Sequence, residues 1–144
     1  MLSTPHCECM NEIASSFGTH AGVVWQTLNQ YGPLSESALL ERTHLSTYQL
    51  FIAIGWLARE NKIRKEDDLY KLGETNLLPV VGKDAGRLWR ALDIWGEVDS
   101  VSLSRLARIS EDDVFSAAGW LAREGKIDAV IKDVDEKKIL FWLK

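Results

Sequence analysis

The residues best suited to chemistry in this chain are few and lie far apart in the sequence. His6, Cys7 and Cys9 place three potential metal ligands near the N-terminus, and the chain has no other cysteine. Structural zinc sites normally space their cysteines by about two to four residues and use a fourth ligand, and no fourth ligand lies near these three. We therefore expect residues 1–18 to form an N-terminal tail, with no metal and no other cofactor bound.

Catalytic patterns are absent from the sequence. It contains no Ser/His/Asp set and no glycine-rich phosphate loop. His20 and His44 fall near a helix start and in a turn, where ordinary hydrogen bonding explains them. Glu60 and Glu124 each follow an arginine, but adjacent helical residues do not face each other, so no catalytic pair results. We expect a non-enzymatic protein without a small-molecule substrate.

Composition and charge are those of an ordinary globular protein. The hydrophobic fraction of 46% and the charged fraction of 26% are typical neither of disordered chains nor of membrane proteins. No apolar run approaches the roughly 18 residues of a membrane span, and the N-terminus lacks the pattern of a secretory signal. The net charge of −4 is not that of a strongly basic nucleic-acid-binding protein. We expect a cytoplasmic protein with no membrane partner.

The chain contains an internal duplication. Gly-Trp-Leu-Ala-Arg-Glu-Asn-Lys-Ile at residues 55–63 returns as Gly-Trp-Leu-Ala-Arg-Glu-Gly-Lys-Ile at residues 119–127. In the same register, positions 21–63 align with positions 85–127 without any insertion, so one supersecondary unit has been copied whole. We predict domain 1 at residues 19–73 and domain 2 at residues 84–144, joined by a partly apolar linker at residues 74–83. Because units of about 60 residues bury small cores, we expect the two domains to share an interface.

Each domain is predicted to form three helices followed by a β-hairpin. The first helices, at residues 21–31 and 85–95, carry apolar residues at helical spacing and end at a glycine. Alternating patterns then predict a short hairpin in domain 1 and a longer one in domain 2. The fold class is therefore mainly α with small β-hairpin wings (α+β), as two tandem winged helix-turn-helix domains. The predicted capping residues of the second and third helices are Ser35, Ser46, Asp99 or Ser100, and Ser110.

Two motifs in each domain carry a family resemblance. Ala-Gly-x-x-Trp-x-x-Leu, followed by Gly-Trp-Leu-Ala-Arg-Glu-x-Lys-Ile, closely resembles an uncharacterised family of small prokaryotic winged helix-turn-helix domains. The resemblance implies the fold and no assigned biochemical role. Members of that family look like single domains, so the tandem is a departure, which favours a division of labour between the two copies.

The third helix of each domain has two distinct faces. Leu50, Ala53, Ile54 and Leu57, with their counterparts in domain 2, are predicted to face the core, which turns a tryptophan away from it in both copies. Glycine in a helix interior costs about 1 kcal/mol relative to alanine, so Gly55 and Gly119 indicate a closely packed neighbour. We expect that neighbour to be the first helix, at Gly22 and Gly86.

Domain 1 is the better candidate for binding double-stranded DNA. In a winged helix, the third helix enters the major groove and the hairpin contacts phosphate. The acidic residues 66–68 at the tip of the hairpin argue against DNA binding by domain 1. In domain 2, the third helix begins with three carboxylates, Glu111-Asp112-Asp113, which would face a polyanion. The residues predicted to contact DNA are His44, Thr47, Tyr48, Gln49, Arg64, Lys65 and Lys71.

Domain 2 is the better candidate for binding a protein partner or a second copy of the chain. Tryptophan is enriched at interface hot spots, and an exposed strand edge, such as the one predicted at residues 139–143, can be extended by another strand. The alternative is that each outward tryptophan closes its own small core beneath its hairpin. The residues predicted to form the interface are Trp56, Trp120, Ile139, Phe141 and Trp142. The sequence thus predicts a regulatory module that binds DNA through domain 1 and protein through domain 2, or else an assembly module that binds no DNA.

Overall fold

A computed structural model describes the backbone of residues 4–133 and 138–144, and the side chains of residues 16–131 and 139–144. The elements of this part follow the predicted order twice. Domain 1 contributes three helices and a hairpin, and domain 2 repeats them with one additional short strand. The elements are α1 (Thr4–Tyr31), α2 (Glu36–Thr43), α3 (Thr47–Arg59), β1 (Ile63–Glu66), β2 (Leu69–Leu72), α4 (Lys83–Trp95), β3 (Val98–Asp99), α5 (Ser100–Ala107), α6 (Glu111–Arg123), β4 (Ile127–Asp133) and β5 (Lys138–Leu143).

The predicted capping residues start and end these helices. Ser46 accepts a hydrogen bond from the Gln49 backbone, and the Gln49 side chain accepts one from the Ser46 backbone, so the predicted capping box is confirmed. Asp99, one of the two alternatives, caps α5 by accepting from the backbone of Ser102. The α1 and α4 helices end at Gly32 and Gly96, as predicted, with φ of 81° and 84°. Local sequence thus determines most of the helix boundaries.

The two hairpins differ as predicted, and we call β1–β2 wing 1 and β4–β5 wing 2. In wing 1, the strands pair antiparallel with Ile63 opposite Leu72. Wing 2 is longer and belongs to a three-stranded sheet of order β3-β5-β4. Domain 1 has only a single bridge, Leu34 to Tyr70, where domain 2 has β3. Because β5 is the central strand, the predicted exposed strand edge at residues 139–143 is wrong.

The first helix is longer than the sequence predicted. It begins at Thr4 and not near residue 21, so the backbone of most of the predicted tail is helical. Phe17 is buried on this extension, and α1 packs against β4 of domain 2 as well as against α3. The side chains of His6, Cys7 and Cys9 lie outside the described residues. The extension therefore connects domain 1 to wing 2.

The predicted linker, residues 74–83, is the second copy's counterpart of residues 10–19 in the α1 extension. A short π-helical turn at Leu78–Gly82 runs directly into α4. In the alignment of the two copies, Gly82 corresponds to Gly18 and Val81 to Phe17, and both Phe17 and Val81 are buried. The sequence predicts that the apolar residues of this segment, Leu77, Leu78, Val80 and Val81, pack or pair. Val81 is buried and Leu77 is partly buried against the core, whereas Leu78 and Val80 are exposed.

A single core extends through both domains. The core-facing residues predicted on the third helices, from Leu50 to Leu57 and from Val114 to Leu121, are all buried. One contiguous cluster of buried residues draws on α1, α3, α4, α6 and both wings, and the contact of α3 with α6 is the most extensive between any two helices described. The predicted interface between the domains is therefore confirmed. Within the described residues, no helix has both the length and the apolar character needed to cross a membrane.

Candidate functional site

The third helices cross each other at their glycines. A Cβ added to Gly55 would overlap the carbonyl group of Ser116 and lie 2.7 Å from its carbon, and one added to Gly119 would overlap the carbonyl group of Ile52, at 2.8 Å from its carbon. Both glycines lie inside their helices and are flanked by buried residues. Because only glycine permits such an approach of two backbones, the duplicated string is a helix-crossing motif.

The duplicated arginines and glutamates pair across this crossing. Arg59 donates to Glu124 at 2.9 Å, and Arg123 donates to Glu60 at 2.8 Å. Each arginine also lies over the tryptophan of the opposite domain. The distances from guanidinium carbon to ring centroid are 5.8 Å for Arg59 over Trp120 and 5.9 Å for Arg123 over Trp56. The contacts are reciprocal, as in an isologous dimer interface, but here both halves belong to one chain.

The two tryptophans are half-buried parts of this interface. The ring of Trp56 packs against Gly18 of α1, and that of Trp120 packs against Gly82 at the start of α4. The face on which the sequence placed them does point away from each domain's own core. The arginine of the other domain covers part of this face and the first helix of the same copy covers another part, and Ile52 on the same face is buried.

The predicted neighbour of the helix glycines is wrong. A Cβ added to Gly22 or Gly86 would meet no atom within 4 Å, and both glycines are exposed. The first helices therefore do not approach α3 and α6 at these positions. Gly55 and Gly119 do pack closely against a neighbour, and it is the third helix of the other domain.

The start of α3 lies beside wing 2. Tyr48 stacks at a tilt on Phe115 of α6, with 5.7 Å between ring centroids. Tyr48 and Gln49 line a narrow cleft together with Ile139 of β5 and His20 of α1, and burial lowers the pKa of His20. His44 and Thr47 remain exposed, His44 in a left-handed C-cap conformation with φ of 61°. Of the predicted DNA-contacting residues of this region, His44 and Thr47 are therefore open to solvent, whereas Tyr48 and Gln49 are partly buried and line the cleft beside wing 2.

The start of α6 lies near wing 1 in turn. Burial, together with the nearby carboxylates of Glu36, Asp112 and Asp113, raises the pKa of Tyr70 on β2 to about 12. Each third helix thus has the wing of the other domain close to its N-terminal end, the end that enters the groove in DNA-bound winged helices.

Two of the three cations of wing 1 form ion pairs within the wing. Glu66 accepts from Arg64 at 2.7 Å and from Lys71 at 3.3 Å, and these two partners lower the pKa of the Glu66 carboxyl. Arg64 also donates to the backbone carbonyl of Glu74. Lys65 lies over the Tyr70 ring at 5.2 Å and forms no ion pair within the described residues. The three predicted phosphate contacts are thus adjacent, but two of them are already paired.

The residues predicted to bind protein on wing 2 belong mainly to the core. Phe141 is fully buried and Ile139 is 1% exposed, with Ala129 opposite Phe141 in the sheet. Trp142 points to the other face of the strand and is half-buried. Neither Ile139 nor Phe141 can contact a partner without unfolding of the sheet.

The largest apolar exposure among the described residues lies elsewhere, on the outer side of α4 and α5. Ile94 is 66% exposed, Trp95 62% and Leu106 43%. Together with surrounding arginines, they border an open groove of about 340 Å³ between the two helices. We call this surface the α4–α5 face, and its members are Arg87, Arg90, Ile94, Trp95, Leu106 and Arg108.

Domain 1 lacks this combination at the equivalent positions. Arg87, Arg90 and Ile94 correspond to Val23, Gln26 and Gln30. The pair Trp95 and Leu106 corresponds to Tyr31 and Arg42, whose guanidinium carbon lies over the tyrosine ring at 4.0 Å. Sequence reasoning missed the α4–α5 face because it compared the copies for identity. The differences between them on the first two helices were the available signal.

Neither a metal site nor an orphaned polar group marks a catalytic centre in the described part of the chain. It holds no group of three or more His, Cys, Asp or Glu residues arranged to bind a metal ion. Every buried side-chain nitrogen or oxygen in this part has a hydrogen-bond partner.

Comparison with known proteins agrees with this architecture. A family model described as a winged helix-turn-helix domain (DUF2582) matches residues 10–72 and again residues 74–141. The two matches start at equivalent positions of the duplication, and they include most of the N-terminal extension and all of the predicted linker. No curated protein and no solved structure matches the chain.

Proposed function

The chain belongs to the DUF2582 family of winged helix-turn-helix domains, which it contains twice, and from that premise we propose that it is a non-enzymatic protein-interaction module. Its third helices hold the two domains together as one body and do not read DNA. The outer surface of domain 2 then presents the binding site for a protein partner.

The crossing at Gly55 and Gly119 is the observation that carries this proposal. A helix that reads DNA must offer an exposed face to the major groove. In this chain, the residues of α3 from Leu50 to Gly55 are buried, and the start of the helix faces wing 2. Separating α3 from α6 would expose the apolar core of both domains, so the groove-reading use of α3 carries a large energetic penalty.

Charge supports the same conclusion. Tight DNA binding commonly involves about six to ten phosphate contacts. Wing 1 offers Lys65 without an ion pair, while Arg64 and Lys71 must first leave Glu66. The net charge of the chain is −4, which disfavours long-range attraction to a polyanion.

DNA binding by domain 1 is the second candidate function. It rests on the common use of this fold and on the exposure of His44, Thr47 and Lys65. His44 lies in the α2–α3 turn, Thr47 is the first residue of α3 and Lys65 lies on wing 1, so they would contact DNA without insertion of the rest of α3.

A titration of fluorescein-labelled duplex DNA with the full chain at about 50 mM salt separates the two functions, because phosphate contacts are strongest at low salt. We expect no saturable change in anisotropy. Saturable binding that the double substitution Arg64→Ala and Lys65→Ala weakens across unrelated sequences would establish the DNA function instead. Replacement of Glu111, Asp112 and Asp113 by Ala serves as the control, since these carboxylates would not contact phosphate.

A further inference from the structure

We propose that the α4–α5 face binds an acidic protein segment whose apolar side chains enter the groove between α4 and α5. This inference rests on the proposed protein-interaction function and names the class of partner. The apolar centre and the cationic border of the face are the two features that define the partner.

The apolar centre of the face indicates a contact with a partner that excludes water. Ile94, Trp95 and Leu106 lie together on one groove, each more than two-fifths exposed. Contiguous exposed apolar side chains with a polar border are typical of protein interaction sites. Trp95 is of the residue type most often found at hot spots, since it combines a large apolar area with few rotatable bonds.

The border of the face carries uncompensated positive charge. Within the described residues, the ion pairs of this chain involve Arg59, Lys62, Arg64, Lys71, Arg123 and Lys126. None involves the three arginines of the α4–α5 face, Arg87, Arg90 and Arg108, all of which are exposed. The positive charge of Arg87 acts on the Asp84 carboxyl, but the two residues form no ion pair. Arginine binds carboxylates through two parallel hydrogen bonds, so glutamate or aspartate on the partner complements this border.

Domain 1 provides an internal comparison for this inference. On its equivalent surface, uncharged residues stand in place of Arg87, Arg90 and Ile94. Arg42, on the same surface, lies over the Tyr31 ring. The two domains share a fold, so the cations and the apolar centre are not needed to build it. They are additions specific to domain 2.

Single-stranded nucleic acid is the other polyanion that arginines and an exposed tryptophan can bind. The centre of the face argues against it. Ile94 and Leu106 are aliphatic and offer no ring on which a base can stack, and surfaces that bind nucleic acid are more polar than those that bind protein. The observations therefore favour a protein segment, and nucleic acid becomes an outcome of the test.

Selection of peptides on the full chain tests the inference. A phage-displayed library of random linear peptides is selected on the wild-type protein, and enriched peptides are synthesised and titrated by anisotropy. We expect them to combine several carboxylates with apolar residues. The triple substitution Arg87→Val, Arg90→Gln and Ile94→Gln installs the residues of domain 1 and should weaken binding at least roughly tenfold, the combined effect expected for lost arginine and apolar contacts.

Single substitutions provide a charge-matched control. Arg90→Gln should weaken the peptide severalfold, whereas Arg42→Gln, which removes one positive charge from the equivalent surface of domain 1, should leave the affinity unchanged. Circular dichroism of the variants checks that each retains its helices.

Five results would overturn the inference. Four come from the binding assays: no enrichment of any peptide, enrichment of peptides without carboxylates, equal binding by the triple variant, or binding of labelled oligothymidine that the triple variant loses. Self-association of the wild-type chain that the triple variant abolishes, measured by sedimentation velocity, would identify a second copy as the occupant and would also overturn it. Peptides that bind equally well to the triple variant leave the protein-interaction function intact at another surface. The duplex DNA titration tests that function independently.

Discussion

Two glycines determine how the two domains meet. Gly55 and Gly119 are each placed against a carbonyl group of the opposite third helix, at a distance that excludes any side chain. The sequence predicted a close neighbour at these positions from the cost of glycine in a helix. It could not identify the neighbour, because every first helix also carries a glycine, Gly22 or Gly86, at a plausible position. Only the packing of the two domains distinguishes them.

The substitution Gly55→Ala should destabilise the chain by about 1–3 kcal/mol or more, because the added methyl group collides with the backbone of Ser116 and the crossing helices must move apart. Urea denaturation followed by circular dichroism measures the change. Gly22→Ala is the matched control in α1. It meets no neighbouring atom and should leave stability unchanged or raise it by up to about 1 kcal/mol. Equal effects of the two substitutions would refute the crossing.

The reciprocal ion pairs contribute less to the stability of the chain than the close packing at the two glycines. A double-mutant cycle with Arg59→Ala and Glu124→Ala should give a coupling free energy of about 0.2–1 kcal/mol, since the arginine side chain is 45% exposed. The cycle at Arg123 and Glu60 should give a similar value, because the geometry is the same. A coupling of zero in both cycles would show that these pairs do not connect the domains in solution.

At the scale of elements, local patterns predicted most of the structure. Capping residues and apolar periodicity located the helices, and alternation located both hairpins. The predictions were less successful where pairing depends on distant residues. Strand β3 pairs with β5, from which α5, α6 and β4 separate it in the sequence, and this pairing places β5 at the centre of its sheet. Alternation showed that Phe141 and Trp142 occupy opposite faces but not which face is buried.

The substitution Phe141→Ala should cost about 3–5 kcal/mol, because the ring is completely buried in the sheet of domain 2. Trp142→Ala on the opposite face should cost less, since that side chain is half-buried. Thermal denaturation of the two variants gives the comparison. A larger loss of stability from Trp142→Ala would show that the buried face of β5 is the one that carries Trp142, and would contradict the structure.

At the scale of the whole molecule, the duplication has produced an interface inside one chain. The expectation that two small domains share an interface follows from their size and is confirmed by the common core. The fold could be predicted from the sequence, whereas the site could not. The predicted DNA-contacting and protein-contacting residues were chosen as if each domain stood alone. Packing of α3 on α6 covers part of that surface. The α4–α5 face carries Ile94 and Trp95, which have the highest exposed fractions among the large hydrophobic side chains that the structure describes.

The most direct test of this account is urea denaturation of the Gly119→Ala variant, followed residue by residue in both domains by NMR. The substitution lies in domain 2, but the collision is with Ile52 of domain 1. If the two domains form one body through their third helices, signals of both domains should lose intensity together at one midpoint, below that of the wild-type chain. A domain 1 that keeps the wild-type midpoint while domain 2 unfolds earlier would contradict the account.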